Sequence, residues 1–182
     1  EELEWLDTIN EDELTSYGGK QSLKDIFLKA AKATCDFYIE NTPSDGIPYW
    51  DTGAPMLHKL GDYLERPAEP FNQYEPVDSS AAAIASQGLL RLGNYLAKNG
   101  EAGDGSRYWQ TGLTVVNRLL EEPYLSTADN HQGILLHSIY HRPNGWDHVP
   151  AGSLSPNGES SMWGDYHIRE VCLYLRRIIE NG

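Results

Sequence analysis

Cysteine is scarce here, with two among 182 residues, and so are methionine (two) and phenylalanine (three). Two thiols cannot make a disulfide-stapled scaffold. Cys35 in "KATCDFY" and Cys172 in "REVCLYL" both fall at helical positions among apolar neighbours, where a cysteine acts as a small hydrophobe. Both are expected to be buried free thiols, with a bridge between them left open by sequence alone. Positive charge is also in short supply: 14 Lys and Arg stand against 27 Asp and Glu, a formal net charge of -13. Acidic residues are spread along the chain rather than gathered in a tail. Nucleic acid and anionic membranes need a clustered cationic surface, so neither is expected as a partner. No apolar run reaches the length of a membrane span and no signal-peptide pattern is present, so the chain reads as soluble with its compartment unspecified. Gly18 and Gly19 before Lys20 lack the spacing of a phosphate loop and read as a linker. No cofactor is implied. The chain begins Glu1-Glu2 with no Met, as a processed or truncated product does.

What is present is enough apolar residue, 40%, to bury one core. Four segments show helical periodicity. In "SLKDIFLKAAKATCDFYIE" an apolar stripe runs through Leu23, Ile26, Phe27, Ala30, Ala31, Phe37 and Tyr38, and Ser22 with Asp25 resembles a capping box. The second segment, from "DSSAAAIASQGLLRLG" onward, has almost no polar face between Ala81 and Leu90. The third, about Asp104 to Glu121, carries Tyr108, Gly112, Val115, Val116, Leu119 and Leu120. The fourth, "GDYHIREVCLYLRRIIE", carries Ile168, Val171, Cys172, Leu175, Ile178 and Ile179.

Amphipathic, apolar, amphipathic, more apolar is the order expected of an outer helix followed by an inner one, twice over. That predicts an all-α fold of the α/α toroid type. Residues 1–182 read as one domain or a domain fragment, with 1–21 as an acidic lead-in that cannot be placed and 22–182 as a barrel segment. The second and third helices are joined by the short "KNGEAGDGSR". The other two connectors are each about forty residues, a length usually associated with function. Both hold aromatics, Trp50, Tyr49, Phe71 and Tyr74 in one and Tyr140, Trp146 and Trp163 in the other, and such segments pack. Each ends at the start of an inner helix, and in an alternating array those starts share one side.

Asp78, Ser79 and Ser80 on one inner helix, and Ser160, Ser161, Gly164 and Asp165 near the start of the other, are therefore expected round one mouth. Free N–H groups at helix starts favour anionic or polyhydroxyl ligands. The plainer expectation for Asp78 and Asp165 is that they are N-caps, and the two roles are compatible. "YWDTGAP" reads either as a tight turn with a packed Trp or as a sugar-stacking platform. His131, His137, His141, His148 and His167 gather near the C-terminus, with His137 and His141 at i, i+4. Pro143 and Gly145 follow at once, which favours a turn over the helix that a metal pair would need, so no metal site is expected.

"DGIPYWDTGAP", "DSSAAAIASQGLLRLG", "LLHSIYHRPNGW" and "ESSMWGDYHIREV", in this order and at these separations, resemble the C-terminal part of the unsaturated glucuronyl hydrolase family of glycoside hydrolases, over roughly Leu23 to Ile179. The resemblance implies an (α/α)6 barrel of twelve helices acting on oligosaccharides that a polysaccharide lyase has left with a 4,5-unsaturated uronic acid. It implies a carboxylic acid that protonates the enol-ether double bond at C4. Water then adds at C5, and the hemiketal opens and expels the remaining sugar. Such an acid must be partly protonated near neutral pH, through burial or a neighbouring carboxylate.

This chain departs from the family pattern in one respect that governs the rest. The family's two catalytic Asp residues and its Trp-x-Arg-x-x-x-Trp segment precede the matching region, and nothing here reproduces them, so the catalytic residues are unassigned. The substrate-binding candidates are Trp50, Asp78, Ser79, Ser80, Trp146, Ser161, Trp163 and Asp165. The expected partners are an unsaturated uronyl oligosaccharide and either the remainder of the barrel or further copies of the chain, because a part-barrel exposes apolar surface. A catalytically silent carbohydrate-binding or structural α/α module, and an α/α-toroid polysaccharide lyase with a Tyr or His base, are the alternatives.

Overall fold

Asp78 starts the most deeply packed helix of the computed structural model, which describes residues 2–181. Among these residues there are six α-helices and no strand: α1 Glu2–Leu6, α2 Glu11–Leu14, α3 Gly19–Glu40, α4 Ser79–Lys98, α5 Ala102–Leu119 and α6 Met162–Asn181. Helix α4 is rich in Ala and Leu, good helix formers, and buries residues on several sides, from Ser79 and Ala82 through Leu89 and Leu90 to Leu96. Helices α3 and α5 flank it.

Contacts along α4 give the directions. Tyr108 and Arg107 of α5 meet Asp36 of α3 at 2.8 and 2.6 Å, while Lys32 reaches Glu101 at 2.5 Å, so α3 and α5 run parallel. On the other side, Ser80 meets Trp163, Gln87 meets His167 and Asn94 meets Tyr174, so α4 and α6 run parallel. The three-residue link between α4 and α5 makes those two antiparallel. The result is the alternating array that the periodicity predicts. Leu90, Val116 and Val171 fill the junction of α4, α5 and α6.

The α4–α5 crossing is unusually close, and glycine is the reason. A Cβ on Gly93 would stand 2.7 Å from the Gly105 carbonyl oxygen and 2.8 Å from the Trp109 nitrogen, and a Cβ on Gly105 would meet the Gly93 oxygen at 2.7 Å. Both obstacles are backbone, which cannot swing aside as a side chain does.

Three expectations change. Helix α3 starts at Gly19, after Gly18 at φ +90, so Ser22 and Asp25 lie inside it and form no capping box. Its packed stripe is Leu28, Ala31, Cys35, Tyr38 and Ile39, whereas Ile26 and Phe37 face solvent. An apolar stripe read at 3.6-residue spacing is about as wide as the helix here, because α3 carries apolar groups on two sides. Cys35 is half-buried, but Cys172 is exposed, along with Ile179 at 80%. Nothing among the described residues packs on that side of α6.

The acidic lead-in is folded. Leu3 and Leu6 of α1 are buried, Glu4 pairs with Arg91 of α4 at 2.7 Å, and Asp7 pairs with Lys24 of α3.

Candidate functional site

Asp78 is the N-cap of α4. Its Oδ1 accepts from Ser80 N at 2.9 Å, Ser80 Oγ at 2.5 Å, Ala81 N at 3.3 Å and Ile139 N at 3.4 Å. All four bonds fall on one oxygen. Burial raises the pKa of this carboxyl, and the hydrogen bonds oppose that rise. The remaining α4 start is committed inward too: Ser79 N donates to the His137 carbonyl, Ala82 N to the Asp78 carbonyl, and Ser79 Oγ pairs with Ser138 Oγ at 3.2 Å. Ser79 and Ser80 are buried. The free N–H groups expected at this helix end are therefore occupied by the chain itself.

At the start of α6 the cap is Ser161, whose Oγ accepts from Gly164 N at 3.1 Å. Asp165 lies inside the helix and is not its N-cap, which corrects the expectation for this residue. Its carboxylate turns outward to take Ile134 N at 2.9 Å and Leu135 N at 2.9 Å, fastening residues 120–161 to α6. Among the described residues, the amides of Met162 and Trp163 have no hydrogen-bond partner in the protein, and they are the donors this mouth still offers. Trp163 Nε1 donates to Ser80 Oγ at 3.0 Å, so the two helix starts meet directly at one end.

Over that junction lies a row of rings. Tyr140 stands 5.5 Å from Trp163 and 5.6 Å from Trp146, at interplanar angles of 32° and 26°, and His141 leans on Trp146 at 5.1 Å. Trp146 is 61% exposed and Tyr140 59%. Rings stacked on one another present edges and end faces, and the exposed part of this row is carried by Trp146 and Tyr140, with Trp163 half-buried. Sequence reasoning treats Tyr140 only as a packing aromatic. It also misses Asp147, a buried carboxylate that takes the amides of Tyr140 and His141 and so holds the row in place. An aromatic followed seven residues later by an Asp is too common a pattern to have revealed that pair.

Trp50 sits at the same end on another segment. Trp50 N donates to the Pro76 carbonyl and Asp78 N to the Pro48 carbonyl, which ties "PYW" beside the start of α4. Asp51 Oδ1 accepts from Gly53 N, closing the tight turn, and Trp50 Nε1 donates to the buried Glu75 at 2.8 Å.

The histidines do not act together. His137 has φ 68, is buried with its ring edge-on to Phe71 and Tyr124, and is held neutral by burial, with its pKa pushed down to about 4. His141 caps a 3-10 turn at Arg142–Asn144, so the segment is not helical. Among the described residues no three His, Cys, Asp or Glu side chains converge to hold a metal, and no helix is long and apolar enough to cross a membrane.

No protein-family model matches the chain. The unsaturated glucuronyl hydrolase of Formosa agariphila is 31% identical over 156 residues, 84% of this chain and 31% of that protein. The one from Bacillus sp. strain GL1 is 29% identical over 151 residues, 82% and 33% respectively. Among solved structures, a UGL variant with dGlcA-Glc-Rha-Glc superposes with a TM-score of 0.58 at 27% identity, covering 82% of this chain and 33% of that one. An unsaturated glucuronyl hydrolase specific for heparin superposes with a TM-score of 0.62 at 21% identity, covering 86% and 35%, and this supports the fold alone. The chain thus spans about a third of the relatives it matches. The resemblance read from the four motifs is borne out, and the fold is all-α, a part of an α/α barrel.

Proposed function

We propose, from this likeness to unsaturated glucuronyl hydrolases, that the chain is the C-terminal part of a glycoside hydrolase that releases 4,5-unsaturated uronic acid from lyase-generated oligosaccharides. The observation that carries the reading is identity near 30% along more than four fifths of the chain to proteins of that name. The reaction is protonation of the double bond at C4, addition of water at C5, and opening of the hemiketal to expel the sugar. In this part of the enzyme the residues bind and orient. The Met162 and Trp163 amides and the Ser161 cap face the acidic sugar, and the row of Trp163, Tyr140 and Trp146 lies along the saccharide. The net charge of -13 opposes an acidic sugar at long range, but distant charges count for little beyond a Debye length of about 8 Å.

Asp78 is not assigned as the acid. Burial does raise its pKa, yet its Oδ1 is engaged by four donors as a helix cap. The test is turnover of an unsaturated uronyl disaccharide, followed by loss of the conjugated enol absorbance. The chain alone is expected to be inactive. In an enzyme with the barrel completed, Trp163→Ala should lower kcat/KM by the equivalent of about 1–3 kcal/mol, the worth of one buried aromatic contact. Turnover by the chain alone that vanishes in Asp78→Asn and survives in Asp165→Asn would make Asp78 the acid. Unchanged kinetics in a folded Trp163→Ala enzyme would reduce that ring to core packing.

A further inference from the structure

We infer that the cleft between the hairpin of residues 124–136 and the Phe71 ring is a second binding site, for a neutral pyranose sugar. It shares no lining residue with the row of rings at the mouth, and it does not rest on the unsaturated-uronyl reading. Leu136 N donates to the Tyr124 carbonyl at 2.7 Å and Ser126 N to the Ile134 carbonyl at 2.8 Å, so the chain doubles back here. Phe71, from the other long connector, packs edge-on with His137 at 5.0 Å and is itself 59% exposed. Between them lies a cavity of 400 Å³, the size of a small-molecule site. Its tip is held in place: a Cβ on Gly133 would collide with Ser160 and stand 2.9 Å from His131 Cε1.

The lining decides the ligand. Phe71, Pro123, Leu125 and Leu136 supply apolar surface, which suits the C–H face of a sugar ring. Hydroxyls both donate and accept, and the polar groups here offer both. His131 Nδ1 lies 3.2 Å from the Gly133 carbonyl, which can only accept, so the proton sits on Nδ1 and Nε2 is an acceptor. Ser126 Oγ, 3.2 Å from the same Nδ1, accepts from it and keeps its own hydrogen to donate. Glu122 takes Thr127 Oγ1 on Oε1 alone, and the Asn130 amide makes no hydrogen bond among the described residues. No Lys or Arg lines the cleft among the described residues and Glu122 does, so an acidic sugar is opposed. Arg118 bonds the Glu122 carbonyl from outside and is paired with Asp45 and Glu121. An ammonium gains little from Glu122 in return, because that carboxylate is exposed.

The test is titration of the full chain with methyl β-glucoside, followed by amide NMR spectra. The amides of Ser126, His131 and Gly158 should shift and saturate at millimolar sugar. Phe71→Ala should weaken binding about tenfold, the worth of one aromatic contact. Asn130→Ala should weaken it about threefold, the worth of one hydrogen bond. Circular dichroism establishes that each variant is folded, and the exposed Asn130 carries the test if Phe71→Ala is not. Sodium glucuronate and glucosamine, the acidic and cationic counterparts, should both bind this cleft more weakly than the glucoside. No saturable shift, shifts confined to the Met162 and Trp163 amides, or unchanged binding in folded variants overturns the inference. Tighter binding of either charged sugar overturns it too. The glucoside carries no double bond, so failure of the turnover assay leaves all these outcomes as they are.

Discussion

His137 and Asp78 touch the same turn and pull stability in opposite directions with pH. The folded pKa of His137 is depressed to about 4 by burial, below its ordinary 6.5. Between those values the unfolded chain binds a proton that the folded chain refuses, so this contribution is fully present above 6.5 and is lost as pH falls towards 4. At about 1.4 kcal/mol per unit, the loss is on the order of 3 kcal/mol. For Asp78 the folded pKa is raised, so its contribution is present below the unfolded value and is lost as pH rises through the folded one. Urea midpoints measured from pH 4 to 8 should show the first slope flattened in His137→Asn, since Asn tolerates the left-handed backbone that φ 68 demands. Asp78→Asn keeps an acceptor on the helix end and should remove the second slope, whereas Asp78→Ala removes the slope and the cap together and should lie about 1 kcal/mol below Asp78→Asn at every pH. A slope between pH 6.5 and 4 that is the same in the parent and in His137→Asn would show that His137 takes up its proton in the folded chain as readily as in the unfolded one.

At the level of helices, two glycines on α4 should behave oppositely. Gly93→Ala drives a methyl into backbone at 2.7 Å and should destabilise by about 2–3 kcal/mol, because neither helix can yield locally. Gly88 has nothing within 4 Å of a Cβ, so Gly88→Ala should gain up to about 1 kcal/mol from helix propensity. Thermal melts of the two variants decide it, and equal melting temperatures would mean that the crossing is looser than described. The sequence shows the four long helices to within a few residues because periodicity and small-residue runs are local properties. It does not show the packed side of α3, where apolar groups on two sides leave spacing without a unique answer. Nor does it show Asp165, whose partners Ile134 and Leu135 lie thirty residues away. Ser161 takes the cap because its hydroxyl reaches Gly164 N, a choice between neighbours that composition does not make.

For the molecule as a whole, the mouth was legible as a place and less so as chemistry. The sequence brings Asp78, Ser79, Ser80, Ser161, Trp163 and Asp165 to one end, and the contacts there join Ser80 to Trp163. It also expects open N–H groups at both helix starts, and at α4 those groups are taken by Asp78 and His137. Which donors stay available depends on long-range loop docking. Exposed Ile26, Phe37 and Ile179 lie on the flanks of the array, as the part-barrel reading anticipates.

The three-residue link and the glycine crossing bear on the order of assembly. Helices α4 and α5 meet through partners close in sequence, from Gly93 with Gly105 to Leu90 with Gly112, so closing their loop costs little chain entropy. Helix α3 must wait for residues 41–78 to find their path, and α6 for residues 120–161. Low contact order places the α4–α5 hairpin early in folding, with α3 and α6 condensing on it. The same stretch that forms one side of the mouth is thus able to take shape as it leaves a ribosome, before α6 and the long loop leading to it have been made.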